Sequence, residues 1–167
     1  MTKNDDLARF EELRDSTAAA IRSTAAGVFQ SVARADLAGF ALVADSDVTS
    51  FYHVYCTRDW VAERAGDYPD IGFIAVEWLQ TADERLFDSA NLMLKEWQWR
   101  KEIHELRFLA LVEAMAACRA EGLFDGSTLL AVSGADPDDD VAKMECNAAT
   151  YLNDAGTAAA YRKAICC

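Results

Sequence analysis

Between Glu84 and Glu121 the chain contains neither glycine nor proline, an interval of 38 residues. A single helix of that length would extend about 57 Å at 1.5 Å per residue, whereas helices in globular domains usually contain about 8–20 residues. We therefore expect two helices, or one sharply bent helix, with the break in the polar segment 98–105. Gly122 follows directly, and its conformational freedom suits it to end the second helix.

The N-terminal region has the apolar spacing of a helix. Between Asp5 and Ala35, apolar side chains recur at steps of three and four residues, which places them on one helical face. They include Leu7, Phe10, Leu13, Ile21, Val28 and Val32. This pattern predicts a long amphipathic helix at the start of the domain.

Two apolar runs with strand-like composition follow, at 40–43 and 48–55. The segment 44–47 between them contains two aspartates and a serine, residue types that hydrogen-bond the backbone in turns, so we expect a β-hairpin. A further strand is predicted over 128–133. The apolar segment 73–78 is expected to be a strand or a buried extended segment.

The other segments carry helix signals. Thr57 is suited to cap a short helix, and Thr81 with Glu84 three residues later forms a capping-box pattern. A helix is predicted from about 138 to 152, followed by a short alanine-rich one. This order of elements indicates an α+β domain with a small, mostly antiparallel sheet covered by helices. No linker or change of composition divides the chain, so we expect a single domain over residues 1–167.

Acidic residues outnumber basic ones. The chain has 28 Asp and Glu against 16 Lys and Arg, which gives a formal charge of −12 and a sequence pI near 4.5. DNA and RNA are bound mainly through Lys and Arg, and anionic membrane surfaces attract positive charge, so we expect neither nucleic acid nor membrane as a partner. The first residues lack the basic and apolar segments of a secretory signal, so we expect a cytoplasmic protein.

Common cofactor and catalytic motifs are missing from the sequence. It contains no GxGxxG, P-loop, HExxH or GxSxG motif. The five cysteines are an odd number without CxxC spacing, which argues against a zinc ribbon and against a disulfide framework. We therefore expect no cofactor and no metal site, and the sequence favours a non-enzymatic protein over an enzyme.

The negative charge is concentrated in one region. Residues 125–154 contain seven acidic residues and one lysine, which is half of the net charge of the whole chain. Carboxylates beyond those that a helix start needs favour a basic partner surface, such as the rim of a nuclease active site. The residues expected to bind that partner are Asp136, Asp138, Asp139, Asp140 and Glu145. The alternative is a solvated acidic turn whose carboxylates stabilise the start of a helix.

A second candidate site contains His53, Glu77 and Trp78. Glu77 lies in an otherwise apolar segment, where a buried carboxyl group would have a raised pKa and could act as an acid or base. These residues define the alternative hypothesis, a small enzyme or ligand-binding domain with a pocket near them. The competing interpretation is that His53 is a packed or surface residue and that Glu77 is half-exposed or hydrogen-bonded to backbone.

Five short blocks resemble, in the same order, blocks of the bacterial family catalogued as domain of unknown function 4303. The blocks are FALVAD through VTS (40–50), TRDW (57–60), VEW (76–78), GLF (122–124) and YLN (151–153). Their order and spacing carry the resemblance, which extends over about residues 36–154. The chain departs from the family at 74–76, where Ile-Ala-Val stands in place of a run containing Ser-Pro. The resemblance implies no established chemistry, but similar small acidic α+β proteins include immunity proteins that neutralise secreted bacterial toxins.

These observations support one leading hypothesis and leave two others open. The leading one is a non-enzymatic cytosolic binding protein, most concretely an immunity protein that neutralises a bacterial toxin by charge-steered occlusion of its active site. Its partner would be a protein, with a basic toxin domain as the expected target. The second is the pocket hypothesis given above, and the third is a self-associating structural domain that forms a homo-oligomer.

Overall fold

The computed structural model describes residues 3–78, 83–97, 100–136 and 138–165. Within these ranges the helices and strands occur in the following order: α1 (Lys3–Val28), β1 (Leu37–Ala44), β2 (Phe51–Thr57), α2 (Arg58–Arg64), α3 (Asp88–Glu96), α4 (Lys101–Ala120), β3 (Leu129–Gly134), α5 (Asp139–Leu152) and α6 (Ala155–Ile165). Short 3-10 turns lie at Arg34–Asp36, Ala75–Glu77 and Glu84–Phe87. The predicted α+β class and the long N-terminal helix are confirmed. None of the described helices is both long enough and apolar enough to cross a membrane.

Among the described residues, three strands form one sheet in the order β2-β1-β3. β1 pairs with β2 in antiparallel register, with Leu42 opposite His53, which confirms the predicted hairpin. β1 pairs with β3 in parallel, with Leu42 opposite Val132. The sheet is therefore small, as expected, and mixed, because the helices between β2 and β3 supply the crossover that a parallel pair requires.

The turn of the hairpin is held by an aspartate, in line with its sequence. Asp45 accepts hydrogen bonds from the backbone N–H of Thr49 at 2.8 Å and from the hydroxyl of Ser50 at 2.6 Å. Val48 in the same turn is completely buried and has a φ of 49°. A β-branched residue rarely adopts this conformation, so the buried side chain and the Asp45 hydrogen bonds must offset the backbone strain.

Residues on both faces of β1 are buried. On one face, Phe40 and Leu42 belong to an apolar cluster that includes side chains of α1, α3 and α4. On the other face, Ala41 and Val43 pack in a second cluster with Tyr161 of α6. Because successive residues of a strand point to opposite faces, β1 contributes alternately to both clusters.

The interval without glycine or proline forms two helices, as predicted. Arg107, which is 1% exposed, forms hydrogen bonds at the junction between α3 and α4. Its Nη2 donates to the carbonyls of Leu94, at 2.9 Å, and of Trp97, and its Nη1 donates to that of Asp47 at 3.3 Å. Carbonyls at the end of α3 would otherwise lack partners, so the buried guanidinium satisfies the helix end.

Gly122 ends α4 as predicted. Its φ is 75°, and its N–H donates to the carbonyl of Arg119 at 2.9 Å. The N–H of Leu123 donates to the carbonyl of Cys118 at 3.1 Å. These two bonds define a Schellman motif, in which a left-handed residue satisfies the last carbonyls of the helix.

Asparagine side chains bind the outer edges of the sheet. Asn91 of α3 accepts from the N–H of Phe51 at 2.9 Å and donates to its carbonyl at 3.0 Å. Asn153, which follows α5, makes the same pair of bonds with Leu130, at 2.9 and 2.8 Å. The backbone N–H and C=O of one residue on β2 and of one residue on β3 are therefore each paired with a side-chain amide.

Three sequence expectations need correction or fall outside the described residues. The segment 73–78 is not a strand, because its backbone forms turns and the Ala75–Glu77 3-10 helix. Thr81 lies outside the described residues, and Asp83 caps the following turn by accepting from the N–H of Arg85 at 3.1 Å. The sequence argued against a disulfide framework, but Cys146 is disulfide-bonded.

Gly39 on β1 is a position where only glycine fits. A Cβ at this residue would lie 3.0 Å or less from three ring carbons of Trp78, whose indole N–H is fixed by the carbonyl of Ile71 at 3.0 Å. We expect Gly39→Ala to lower the free energy of unfolding by about 1–3 kcal/mol through overpacking, as measured by urea denaturation. Gly27→Ala is the matched control, because nothing lies within 4 Å of its Cβ position. It should be neutral or stabilising by up to about 1 kcal/mol, and equal losses for both variants would contradict the packing explanation.

His53 should make the fold sensitive to acid. Its ring stacks between Phe40 and Phe87, with centroid distances of 6.0 and 5.2 Å, and burial lowers its pKa from 6.5 to about 4. Between pH 6.5 and 4 the unfolded chain gains a proton that the folded chain does not, so stability falls as the pH falls. The wild type should lose about 1–2 kcal/mol more than His53→Leu between pH 7 and 5. If the unfolding free energies of both proteins change equally with pH across that range, His53 is not the group responsible for the loss of stability in acid.

Candidate functional site

The acidic segment predicted from the sequence lies at the start of α5. Asp138 is the N-cap, since its Oδ1 accepts from the N–H groups of Asp140 at 3.1 Å and Val141 at 2.9 Å. Asp136 and Asp140 are exposed. Asp139 lies in the first turn of α5, and its side chain is outside the described set. Helix capping therefore accounts for Asp138, whereas the exposed carboxylates of Asp136 and Asp140 have no such role.

Glu145 does not belong to the acidic surface. It is 4% exposed, and its Oε1 accepts from the hydroxyl of Ser133 at 2.9 Å and from that of Tyr161. The N–H of Gly134 donates to Oε2 at 3.3 Å. The prediction that Glu145 faces a partner is therefore wrong, because this carboxylate points inward and joins α5 to β3 and α6.

The phenol of Tyr161 completes this buried group. Burial first, and then the neighbouring charge of Glu145, raise the pKa of Tyr161. The phenol therefore stays protonated and acts as a hydrogen-bond donor. A buried carboxylate is tolerated when its oxygens are hydrogen-bonded in this way, so the cluster is structural.

The residues of the alternative pocket do not come together. His53 is completely buried on the sheet face that packs against α1, α3 and α4. Trp78 is buried in the cluster on the opposite face, and Glu77 beside it is exposed. Because His53 and Trp78 lie on opposite faces of the sheet, these described side chains do not face one another.

A groove of about 610 Å³ lies between α4 and α5. Six residues of α4 line one side, namely His104, Glu105, Phe108, Leu109, Val112 and Glu113. Six residues of α5 line the other, namely Asp140, Lys143, Met144, Asn147, Ala148 and Tyr151. On each helix the lining residues are separated by one, three or four positions. This spacing places them on one face of the helix.

The floor of the groove is apolar and closed. Phe108, Val112 and Ala148 are 4% exposed or less. Two large apolar side chains stand at its open side, Leu109 with 44% and Tyr151 with 66% of their surfaces exposed. Neither of these side chains belongs to the buried core, so a bound partner would find apolar surface that folding has left accessible.

The rim of the groove is mainly acidic. Glu105, Glu113 and Asp140 line it together with Lys143, whose Nζ lies 3.8 Å from a carboxylate oxygen of Asp140. Arg14 of α1 lies beside the rim, with its Nη1 3.9 Å from Oε2 of Glu113. Asp140 belongs both to the rim and to the acidic start of α5. The groove and the acidic segment therefore form one continuous surface, which we call the α4/α5 surface.

The α4/α5 surface combines apolar and charged side chains. His104 lines the groove, and its Nε2 atom is enclosed without a hydrogen-bond partner among the described residues. Across the described ranges, no three His, Cys, Asp or Glu residues lie close enough to hold a metal ion. Apolar side chains in the groove would hold a partner by burial, and the rim carboxylates would orient it.

Sequence reasoning missed the groove, although part of its signal was present. Val141, Glu145 and Leu152 are all buried on α5, and their spacing of four and seven residues would have placed Glu145 on the inner face. The same spacing places Asp140, Met144 and Tyr151 on the groove face. That α4 packs opposite this face depends on the tertiary structure, so it could not be predicted from the sequence of α5 alone.

Replacing the buried carboxylate should destabilise the fold. We expect Glu145→Gln to lower the free energy of unfolding by about 1–3 kcal/mol, because an amide cannot accept from all three donors. Asp140→Asn is the matched control, since it removes an exposed carboxylate from the same helix, and it should change stability by less than about 0.5 kcal/mol. Urea denaturation measures both, and a neutral Glu145→Gln would refute the structural role.

Comparison with known proteins places the chain in a family. A search of curated proteins and a search of solved structures found no match to it. The family model described as "Domain of unknown function (DUF4303)" matches residues 17–154, which is most of the chain. It includes the three strands, α2 to α5 and the α4/α5 surface. The chain therefore belongs to the DUF4303 family.

Proposed function

We propose that this chain is a non-enzymatic binding protein that blocks a basic partner protein. Most concretely, it acts as an immunity protein that covers the active site of a bacterial toxin. The observation that carries the proposal is the continuity of the α4/α5 surface, in which Asp140 joins the acidic start of α5 to the apolar groove. A surface with an apolar centre and a charged rim has the composition of a protein interface.

The charge of the chain supports steering of a basic partner. A formal charge of −12 in 167 residues produces a negative potential that accelerates the approach of a positively charged protein. The exposed carboxylates of Asp136 and Asp140 concentrate this potential beside the groove. Steering acts on the rate of association and weakens as salt screens the charges.

Occlusion requires no chemistry from this chain. A protein that blocks an active site needs a surface that fits over its rim and carboxylates that pair with its Lys and Arg side chains. The apolar side chains of the groove and the carboxylates of its rim are the groups that would supply such a surface. An immunity protein of this kind acts in the cytoplasm of the cell that makes the toxin, and nucleic acid and membrane are not its partners.

The first experiment tests neutralisation. We expect the reading frame beside this gene to encode a large secreted protein with a toxin-like C-terminal domain. Expression of that domain alone should stop growth, and co-expression with this chain should restore it. A neighbouring frame without such a domain, or growth arrest that persists with the two proteins in the same cell, would refute the proposal.

The second experiment tests charge steering on the same pair. The double variant Asp136→Lys, Asp140→Lys leaves the Asp138 cap in place and should lower the association rate constant at low salt about tenfold. The matched control is Asp67→Lys, Asp70→Lys, which makes the same change in net charge at two exposed residues of the loop after α2. Stopped-flow fluorescence measures both, and equal rates for the two variants would show that steering does not act through the acidic segment.

A further inference from the structure

We infer that the groove between α4 and α5 receives a basic amphipathic helix of the partner, an inference that rests on the proposed function for the identity of that partner. The groove has helical walls, an apolar floor and an acidic rim. These three properties together specify the occupant more narrowly than charge alone.

The length of the groove matches a short helix. Its α4 side extends from His104 to Glu113 and its α5 side from Asp140 to Tyr151, which at 1.5 Å per residue corresponds to about 14 and about 16 Å. About three helical turns, or 11 residues, cover that distance. A helix of this length presents apolar side chains at positions i, i+4 and i+7, the pattern by which helices occupy apolar grooves.

The apolar side chains of the groove are arranged for insertion. The floor residues Phe108 and Val112 belong to the buried core. Leu109 and Tyr151 are exposed at its open side, one from each wall. A helix lying between them would bury both, and exposed aromatic residues that become buried on binding contribute strongly to affinity.

The charges at the rim of the groove favour a bound helix of positive charge. Glu105, Glu113 and Asp140 outnumber the two cations beside them, Lys143 near Asp140 and Arg14 near Glu113. Asp136 lies exposed at the start of α5. Lys and Arg side chains on the flanks of the bound helix would meet these carboxylates. A second copy of this chain is disfavoured, because two molecules of charge −12 repel one another.

The inference can be tested on the full chain with a designed peptide. The probe is an 18-residue helical peptide with leucines on one face and lysines elsewhere, and its counterpart has glutamates in place of the lysines. We expect the lysine peptide to bind with an affinity at least tenfold higher than the glutamate peptide in isothermal titration calorimetry. Its binding should shift the amide resonances of α4 and α5 more than those of α2.

Surface variants decide whether the groove is the binding site. Leu109→Ala, Tyr151→Ala should weaken binding of the lysine peptide at least tenfold, and because both side chains are exposed the fold should be retained. The matched control is Leu7→Ala, Tyr68→Ala, at residues with 58% and 64% exposure, and it should change affinity less than twofold. Equal affinity of the groove variant and the wild type would overturn the inference. A dimer in light scattering that dissociates in the groove variant would also overturn it, with a second copy as the occupant.

The toxin pair separates this inference from the proposed function. If Leu109→Ala, Tyr151→Ala still neutralises the toxin with undiminished affinity, the groove inference fails and the proposed function stands. If no neighbouring toxin is neutralised but the lysine peptide binds in the groove, the proposed function fails and the preference for a basic helix stands.

Discussion

The rest of the fold depends on the burial of β1 on all sides. Among the described strands, it alone has a neighbour along each edge, and residues on both of its faces are enclosed. A strand in this position requires layers above and below it, which α1, α3 and α4 provide on one face and α6 with Trp78 on the other. Because Gly39 leaves room for the Trp78 ring, the second layer can approach β1 closely. Both faces of β1 are thus used for folding.

Local sequence signals predicted most of the helices and strands, but they did not predict how all of the strands pair. Asp45 in the hairpin turn, Thr57 at the start of α2 and Gly122 after α4 act through neighbours in sequence, so their roles could be inferred. The parallel pairing of β1 with β3 joins residues about 90 positions apart and depends on how the intervening helices pack. The segment 73–78 was ambiguous because apolar composition reports burial and does not specify backbone conformation.

The acidic charge of the candidate site could be predicted from the sequence, but the groove could not. The concentration of acid at Asp136 to Asp140 was visible in the sequence, and Asp136, Asp138 and Asp140 are exposed. Glu145 was assigned to the same surface by composition, although its helical spacing places it inside, where Ser133 and Tyr161 bind it. The groove depends on the approach of α4 to α5, and Leu109 and Tyr151 become one surface only after that approach.

The asparagine bonds at the sheet edges limit how this protein can recognise others. An extended peptide adds to a sheet by pairing with free N–H and C=O groups, and Asn91 and Asn153 occupy those groups at Phe51 and Leu130. At both positions an incoming strand would first have to displace an amide that already makes two hydrogen bonds. Side chains from two helical regions therefore block the addition of a further strand at Phe51 and at Leu130.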